Sequence, residues 1–297
     1  MRGLPRASRN GRIPRPPEGT PGGGSSNTAK GALAPSFYDG IAARYDQTWG
    51  PRFEAAAQRL LSRLGRKKVQ RALDIGTGTG AVLKVLGQRA TPPRRLVGCD
   101  QSLPMLARAR RAVRGAEVVA ADAVGLPFRD ESFDLVTANF VLSHLQDYRE
   151  TLREAIRVLR RAALLRVSNW APATDPCSTA WRELLGAAVG AEMVEEATQL
   201  VAPWEAHFGD PDNLCAALRE AGFTGVEGAR IPLVWPSSVE RYLADRELSA
   251  AGRRARQELG EAAWHDFLKT ARRELRMRFG GNVSHSRGMI VAGGAKP

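Results

Sequence analysis

The first chemical signal is a glycine-rich turn at the end of a short apolar run, ALDIGTGTG at residues 72–80. Gly76, Gly78 and Gly80 permit a tight turn with positive φ and let a ligand approach the backbone without meeting a Cβ. The string also satisfies the dinucleotide pattern GxGxxG/A. Asp74 narrows the choice, because a carboxylate there repels a pyrophosphate and suits a ligand carrying an ammonium and a sulfonium. Asp100 closes a second apolar run, where an acid accepts hydrogen bonds from both ribose hydroxyls; its competing role is a solvent-facing acid. In ADAVGLPF, Asp122 can accept from an exocyclic adenine amine while the Ala123 amide donates to a ring nitrogen. Asn139 and Phe140 stand at the mouth of a fourth run, FDLVTANF. Polar groups at four successive run ends exceed what chance supplies. His144, in LSHLQD, is the candidate general base; its bland alternative is a structural histidine at a helix start.

The elements that must hold these residues alternate. Strands are expected at 71–75, 95–100, 116–122, 133–140 and 163–170, with helices between them and an amphipathic helix over 147–160. Such βαβ units predict a doubly wound, mostly parallel α/β sheet, seven-stranded, with its crevice at the carboxyl ends of the strands. A helical N-terminal cap is expected over 36–64, with Ser36 capping its first helix. Later elements are a helix at 210–223 closed by Gly222, a strand from GVEGARIPLVW, and a last strand at 286–292. Ser237 and Glu240 form a capping-box pattern opening a helical insertion over 237–280, either a substrate lid or a surface elaboration.

Residues 1–35 are rich in Pro, Gly, Ser and Arg and bury too little apolar area to offset ordering entropy. They read as a disordered tail before one domain at 36–297. Net charge is +13, and residues 1–36 hold six Lys/Arg against one acid. A basic surface suits nucleic acid or anionic lipid, but no Lys/Arg stripe interleaved with aromatics accompanies it, so nucleic acid is the less favoured partner. Three scattered cysteines form neither a disulfide framework nor a metal knuckle and fit a reducing cytoplasm. No apolar run reaches a membrane-spanning length, and no metal site is expected. Oligomeric state is not readable.

The series LDIGTGTG, GCDQS, ADAVGLPF and FDLVTANFVLSHLQD resembles the motifs of class I S-adenosylmethionine-dependent methyltransferases. With FYDGIAARYD ahead of the glycine loop, it is most similar to the small-molecule branch typified by ubiquinone/menaquinone-biosynthesis enzymes (type 11). The likeness covers about residues 37–170, and ALREAGFTGVE supports it further. It implies a Rossmann-like methyltransferase fold and S-adenosylmethionine as cofactor. The glycine loop with Thr77 and Asp74 would hold its methionine part and Asp100 its ribose, while Asp122 and Ala123 face the adenine. Gln101 and Met105 join this set, Asn139 and Phe140 face the methyl group, and Tyr38 and Tyr45 cap the cofactor. The family's Pro-Gly-Gly turn is replaced by Arg161, Ala162 and Ala163, read as an altered loop away from the cofactor. The expected activity is methyl transfer to O, N or C of a small organic acceptor. The alternatives are an RNA methyltransferase and a scaffold that binds cofactor without turnover.

Overall fold

The computed structural model describes residues 36–65 and 67–297, so the expected tail lies outside the described residues. Helices α1 (Ser36–Asp39) and α2 (Ala42–Leu61) precede β1 (Arg71–Ile75), α3 (Ala81–Gly87), β2 (Arg95–Asp100) and α4 (Leu103–Ala112). Next come β3 (Glu117–Ala120), β4 (Phe133–Asn139), α5 (Tyr148–Val158) and β5 (Leu159–Trp170). Four helices follow: α6 (Pro176–Val189), α7 (Ala191–Val201), α8 (Glu205–Phe208) and α9 (Pro211–Glu220). The chain finishes with β6 (Thr224–Ser238), α10 (Val239–Glu247), α11 (Ala250–Phe279) and β7 (Asn282–Ala295).

The strands form one sheet in the order β3-β2-β1-β4-β5-β7-β6. All neighbours are parallel except those of β7, which runs antiparallel to both β5 and β6. Strand order therefore reverses between β1 and β4, which opens a crevice at their carboxyl ends. Four of the five residues of β1 are buried because helices cover both faces of the sheet. Core clusters lie on either side: Leu73, Val97, Phe133, Leu152 and Leu218 belong to one, Leu83, Leu86, Leu96 and Leu135 to another.

The doubly wound, mostly parallel α/β fold is the one the alternating pattern predicts. Several boundaries differ. β3 stops at Ala120 and leaves Asp122 in the following turn. α1 begins with Ser36 as a helical residue. Ser238, not Ser237, caps α10 by accepting from the Arg241 amide, because Ser237 still belongs to β6 and is buried. The expected altered loop at 161–163 is part of β5. Ala162 takes φ +58° there, its amide donates to the Lys296 carbonyl (3.0 Å), and Ala163 O accepts from the Lys296 amide (3.0 Å). Pairing with the β7 end thus holds a left-handed residue that glycine would occupy at lower cost.

The expected 237–280 insertion resolves into α10 and α11, with α11 kinked at Gly260. These pack against α6 and α7 around Trp181, Leu185, Tyr242, Trp264 and Leu275, a core separate from those beside the sheet. α6 and α7 lie in a stretch that the motif reading left unassigned.

Candidate functional site

The glycine loop leaves β1 with φ of +61°, +53° and +92° at Gly76, Gly78 and Gly80. A Cβ on Gly76 would fall 2.5 Å from Val141 Cγ2, so this position is closed to any side chain. The Thr77 amide donates to Cys99 O (2.9 Å) and the Thr77 side chain is buried, which ties the loop to β2. Gly80 caps α3 and lets it approach α4, where a Cβ would sit 3.2 Å from Ala109 Cα.

Two acids face this loop. Asp74 is 2% exposed and accepts from Thr137 Oγ1 (2.6 Å). Burial pushes its carboxyl up to about 7 against that hydrogen bond. No cation among the described residues pairs with it, and a ligand ammonium is the charge that would favour its ionised form. Asp100 accepts from the amides of Gly78 (2.8 Å, Oδ2) and Ser102 (2.9 Å, Oδ1). Burial raises its pKa and these amides lower it. Ser102 Oγ donates to Asp39 Oδ1 (2.5 Å), so α1 reaches over β2's end. Gln101 is partly exposed beside Asp100, and Met105 is buried in α4.

Asp122 Oδ1 accepts from the Val124 amide (3.1 Å), which shapes the turn after β3 and buries Ala123. At the end of β4, Asn139 Oδ1 accepts from Ser168 Oγ (2.7 Å). Phe140 follows at φ +60°, with its amide donating to Ser168 O and Oγ (3.1 Å each). A bulky residue in that region is strained. The twist lays its ring on Trp170, with centroids 4.0 Å apart. Phe140 is thus a buried wall, backed by Phe53 at 5.5 Å.

The aromatic wall continues into the cap. Tyr45 stacks on Phe53 (5.4 Å), Tyr38 meets Tyr45 edge-on (5.9 Å), and Tyr38 meets the His144 ring edge-on (6.1 Å). Burial pushes both tyrosine hydroxyls up, so both stay protonated. His144 Nδ1 bonds the Val201 carbonyl (2.8 Å). A carbonyl only accepts, so Nδ1 carries the proton and neutral His144 keeps a lone pair on Nε2. Burial pulls its pKa down, which favours that neutral form.

The structure therefore gathers Tyr38, Tyr45, Asp74, the glycine loop, Asp100, Asn139 and His144 at one end of the sheet. A model of the family "Methyltransferase domain" matches residues 73–167. Demethylmenaquinone methyltransferase of Roseiflexus castenholzii is 38% identical over 172 residues, 52% of this chain and 68% of that protein. The chain belongs to the class I S-adenosylmethionine-dependent methyltransferases. A second demethylmenaquinone methyltransferase, from Thermotoga maritima, is 30% identical over 52% of this chain and 70% of its own length. Among solved structures, Haemonchus contortus phosphoethanolamine N-methyltransferase 2 in complex with S-adenosyl-L-methionine matches at TM-score 0.54 and 18% identity. The match covers 87% of this chain and 57% of that one. The [4+2]-cyclase SpnF matches at TM-score 0.54 and 18% identity, over 91% and 99%. These two likenesses show the fold alone.

As a class I methyltransferase the chain uses S-adenosylmethionine and acts on a small molecule, and the donor set fits that cofactor. Asp74 supplies a buried carboxyl that a ligand ammonium would ionise, Gly76 and Gly78 expose backbone, and Asp100 presents a carboxyl at β2's end. Among the described residues no helix is long and apolar enough to cross a membrane, and no cluster of His, Cys, Asp or Glu is placed to hold a metal. Sequence reasoning missed Glu205, Arg287, Asn169 and Trp170, which stand beside His144's half of the crevice. No motif marks them, and Arg287 lies 82 residues from Glu205 in the chain. It also missed Arg253, whose Nη1 donates to Phe37 O (2.5 Å) and whose guanidinium lies 4.5 Å from the Phe37 ring centroid. This arginine ties α1 to α11.

Proposed function

We propose that the chain methylates a hydroxylated aromatic ring of the quinol class, with His144 as general base. The observation that carries this reading is the fixed tautomer of His144, which presents a neutral Nε2 beside an aromatic wall. The similarity to demethylmenaquinone methyltransferases supports a quinol as acceptor.

S-adenosylmethionine supplies, when bound, a methyl group on a positively charged sulfur. In this reading Asp74 and the loop from Gly76 to Gly80, with Thr77, hold its methionine part. Asp100 takes the ribose, Asp122 and Ala123 take the adenine, and Gln101 and Met105 line the pocket. Tyr38 and Tyr45 close over it with α1. Asn139 and Phe140 aim the acceptor. His144 Nε2 would accept the acceptor's hydroxyl proton first, and the carbon or oxygen of the resulting oxyanion would then take the methyl group, the carbon–sulfur pair staying on the product, S-adenosylhomocysteine. Alignment of the reacting atoms supplies much of the acceleration. We place one methyltransferase domain at 36–297. Its three cysteines are free and buried, which suits a cytoplasmic setting.

The test is direct. Purified protein with S-adenosylmethionine and 1,4-dihydroxynaphthalene, kept reduced, should release S-adenosylhomocysteine and a ring bearing one more methyl group. Cofactor binding without transfer to this or any other hydroxylated ring would sink the acceptor assignment. Failure to bind S-adenosylhomocysteine would sink the site assignment as well.

A further inference from the structure

The acceptor side of the crevice holds a cation that the reading above does not use. Arg287 sits on β7 just past the last register pair with β5, Trp170 with Met289, at the carboxyl end of β5. Its Nε donates to Ala171 O (3.1 Å) and its Nη2 pairs with Glu205 Oε1. The guanidinium lies 4.9 Å from the centroid of Trp170, the ring stacked on Phe140. Nη1 has no hydrogen-bond partner among the described residues, and the side chain is 19% exposed.

Glu205 is itself held in place. Its carbonyl accepts from Asn169 Nδ2 (3.3 Å), and Asn169 Oδ1 is a buried acceptor without a partner among the described residues. The preceding residue, Trp204, donates its amide to Ser143 O (3.2 Å), next to His144. Val201, at the end of α7, supplies the carbonyl that fixes His144. One segment, 201–205, therefore positions both the base and the arginine. Arg287 and Glu205 act on the His144 charge in opposite senses.

The chemistry of the proposed acceptor calls for such a cation. A phenolic hydroxyl titrates near 10 and an ordinary imidazole near 6.5, so a buried neutral histidine alone is a weak base for the task. A guanidinium beside the ring oxygen stabilises the charge that appears when the proton leaves. We propose that Arg287, held by Glu205 on the face of Trp170, binds the acceptor's ring oxygen, so that the acceptor is bound as a phenolate-type oxyanion. This rests on the quinol-class reading and assigns its specificity to a residue outside every motif of the family match.

The experiment titrates 1-naphthol and naphthalene into protein saturated with S-adenosylhomocysteine, for the wild type, Arg287→Gln and Arg287→Lys. Wild-type protein should bind 1-naphthol more tightly than naphthalene. Arg287→Gln should lose about tenfold or more of that affinity with naphthalene binding unchanged, and Arg287→Lys should recover part of it. Equal weakening of both ligands would show a structural role only and overturn the inference, as would no change for 1-naphthol. Failure of the wild type to bind 1-naphthol, with S-adenosylhomocysteine bound, would overturn it while leaving the methyltransferase assignment intact. Methylation of dihydroxynaphthalene undiminished in Arg287→Gln would overturn it and leave the quinol reading standing.

Discussion

The two halves of the crevice are built in different ways. The half proposed for the cofactor comes from residues 74–123, one stretch of three consecutive strand ends, and offers backbone amides, glycines and two acids. The half proposed for the acceptor draws Phe140, His144, Trp170, Glu205 and Arg287 from four separate places in the chain. It works through aromatic faces and one ion pair. On that proposal a fixed ligand is served by a local motif, and the variable one by tertiary packing. The acceptor half also leans on the α6-α7-α10-α11 bundle, whose core is its own.

The largest effect expected separates the halves by kinetics. His144→Ala should lower kcat by about 10²–10⁴-fold while S-adenosylhomocysteine affinity, read by calorimetry, stays at the wild-type value. A parallel loss of cofactor affinity would move His144 into the cofactor half.

The next tests how firmly the helical bundle is coupled to the cap. Arg52 on α2 forms an ion pair with Asp245 on α10, and the Asp245 side chain is fully buried. Arg52→Leu strands that carboxylate and should destabilise the protein by about 3–5 kcal/mol, with the loss restored in part by adding Asp245→Leu. A melting temperature untouched by Arg52→Leu would make the bundle an independent appendage.

The smallest effect has opposite signs for stability and for binding. Because burial raises the folded-state pKa of Asp74 from 3.8 to about 7, its burial is tolerated at low pH. Stability is then lost as pH rises through about 7. Asp74→Asn should therefore stabilise the cofactor-free protein above that pH, by about 2 kcal/mol after allowing for local relaxation, and have little effect near pH 4. The same variant should weaken S-adenosylmethionine binding about tenfold. Thermal melts with and without cofactor at both pH values read this out. A destabilised variant at high pH would show that Asp74 is structural.

The parallel sheet was legible because its strands are short apolar runs separated by helices, and ALDIGTGTG marks the switch point by itself. Boundaries failed where tertiary pairing overrode local pattern. β5 extends back to Leu159, which pairs with Phe133 of β4, while Lys296, far along the chain, bonds Ala162 and Ala163. Ser237 has the residue type of a cap, but β6 keeps it buried and Ser238 takes the role. Asp122 was expected to close β3 but lies in the turn beyond it, which it stabilises by accepting from Val124.

By itself the sequence determined the first five strands, the glycine loop with its neighbouring acids, and the family, because these depend on residues near one another in the chain. Glycine conformational freedom and strand periodicity are local properties. Only the tertiary structure brought together the residues proposed to face the acceptor. β7 runs antiparallel between β5 and β6 and so carries Arg287 to the end of β5, where α8 offers Glu205 and Trp170 offers its face. Such a contact follows from the closing of a long loop against a packed sheet, and nothing in the spacing of residues 205 and 287 encodes it.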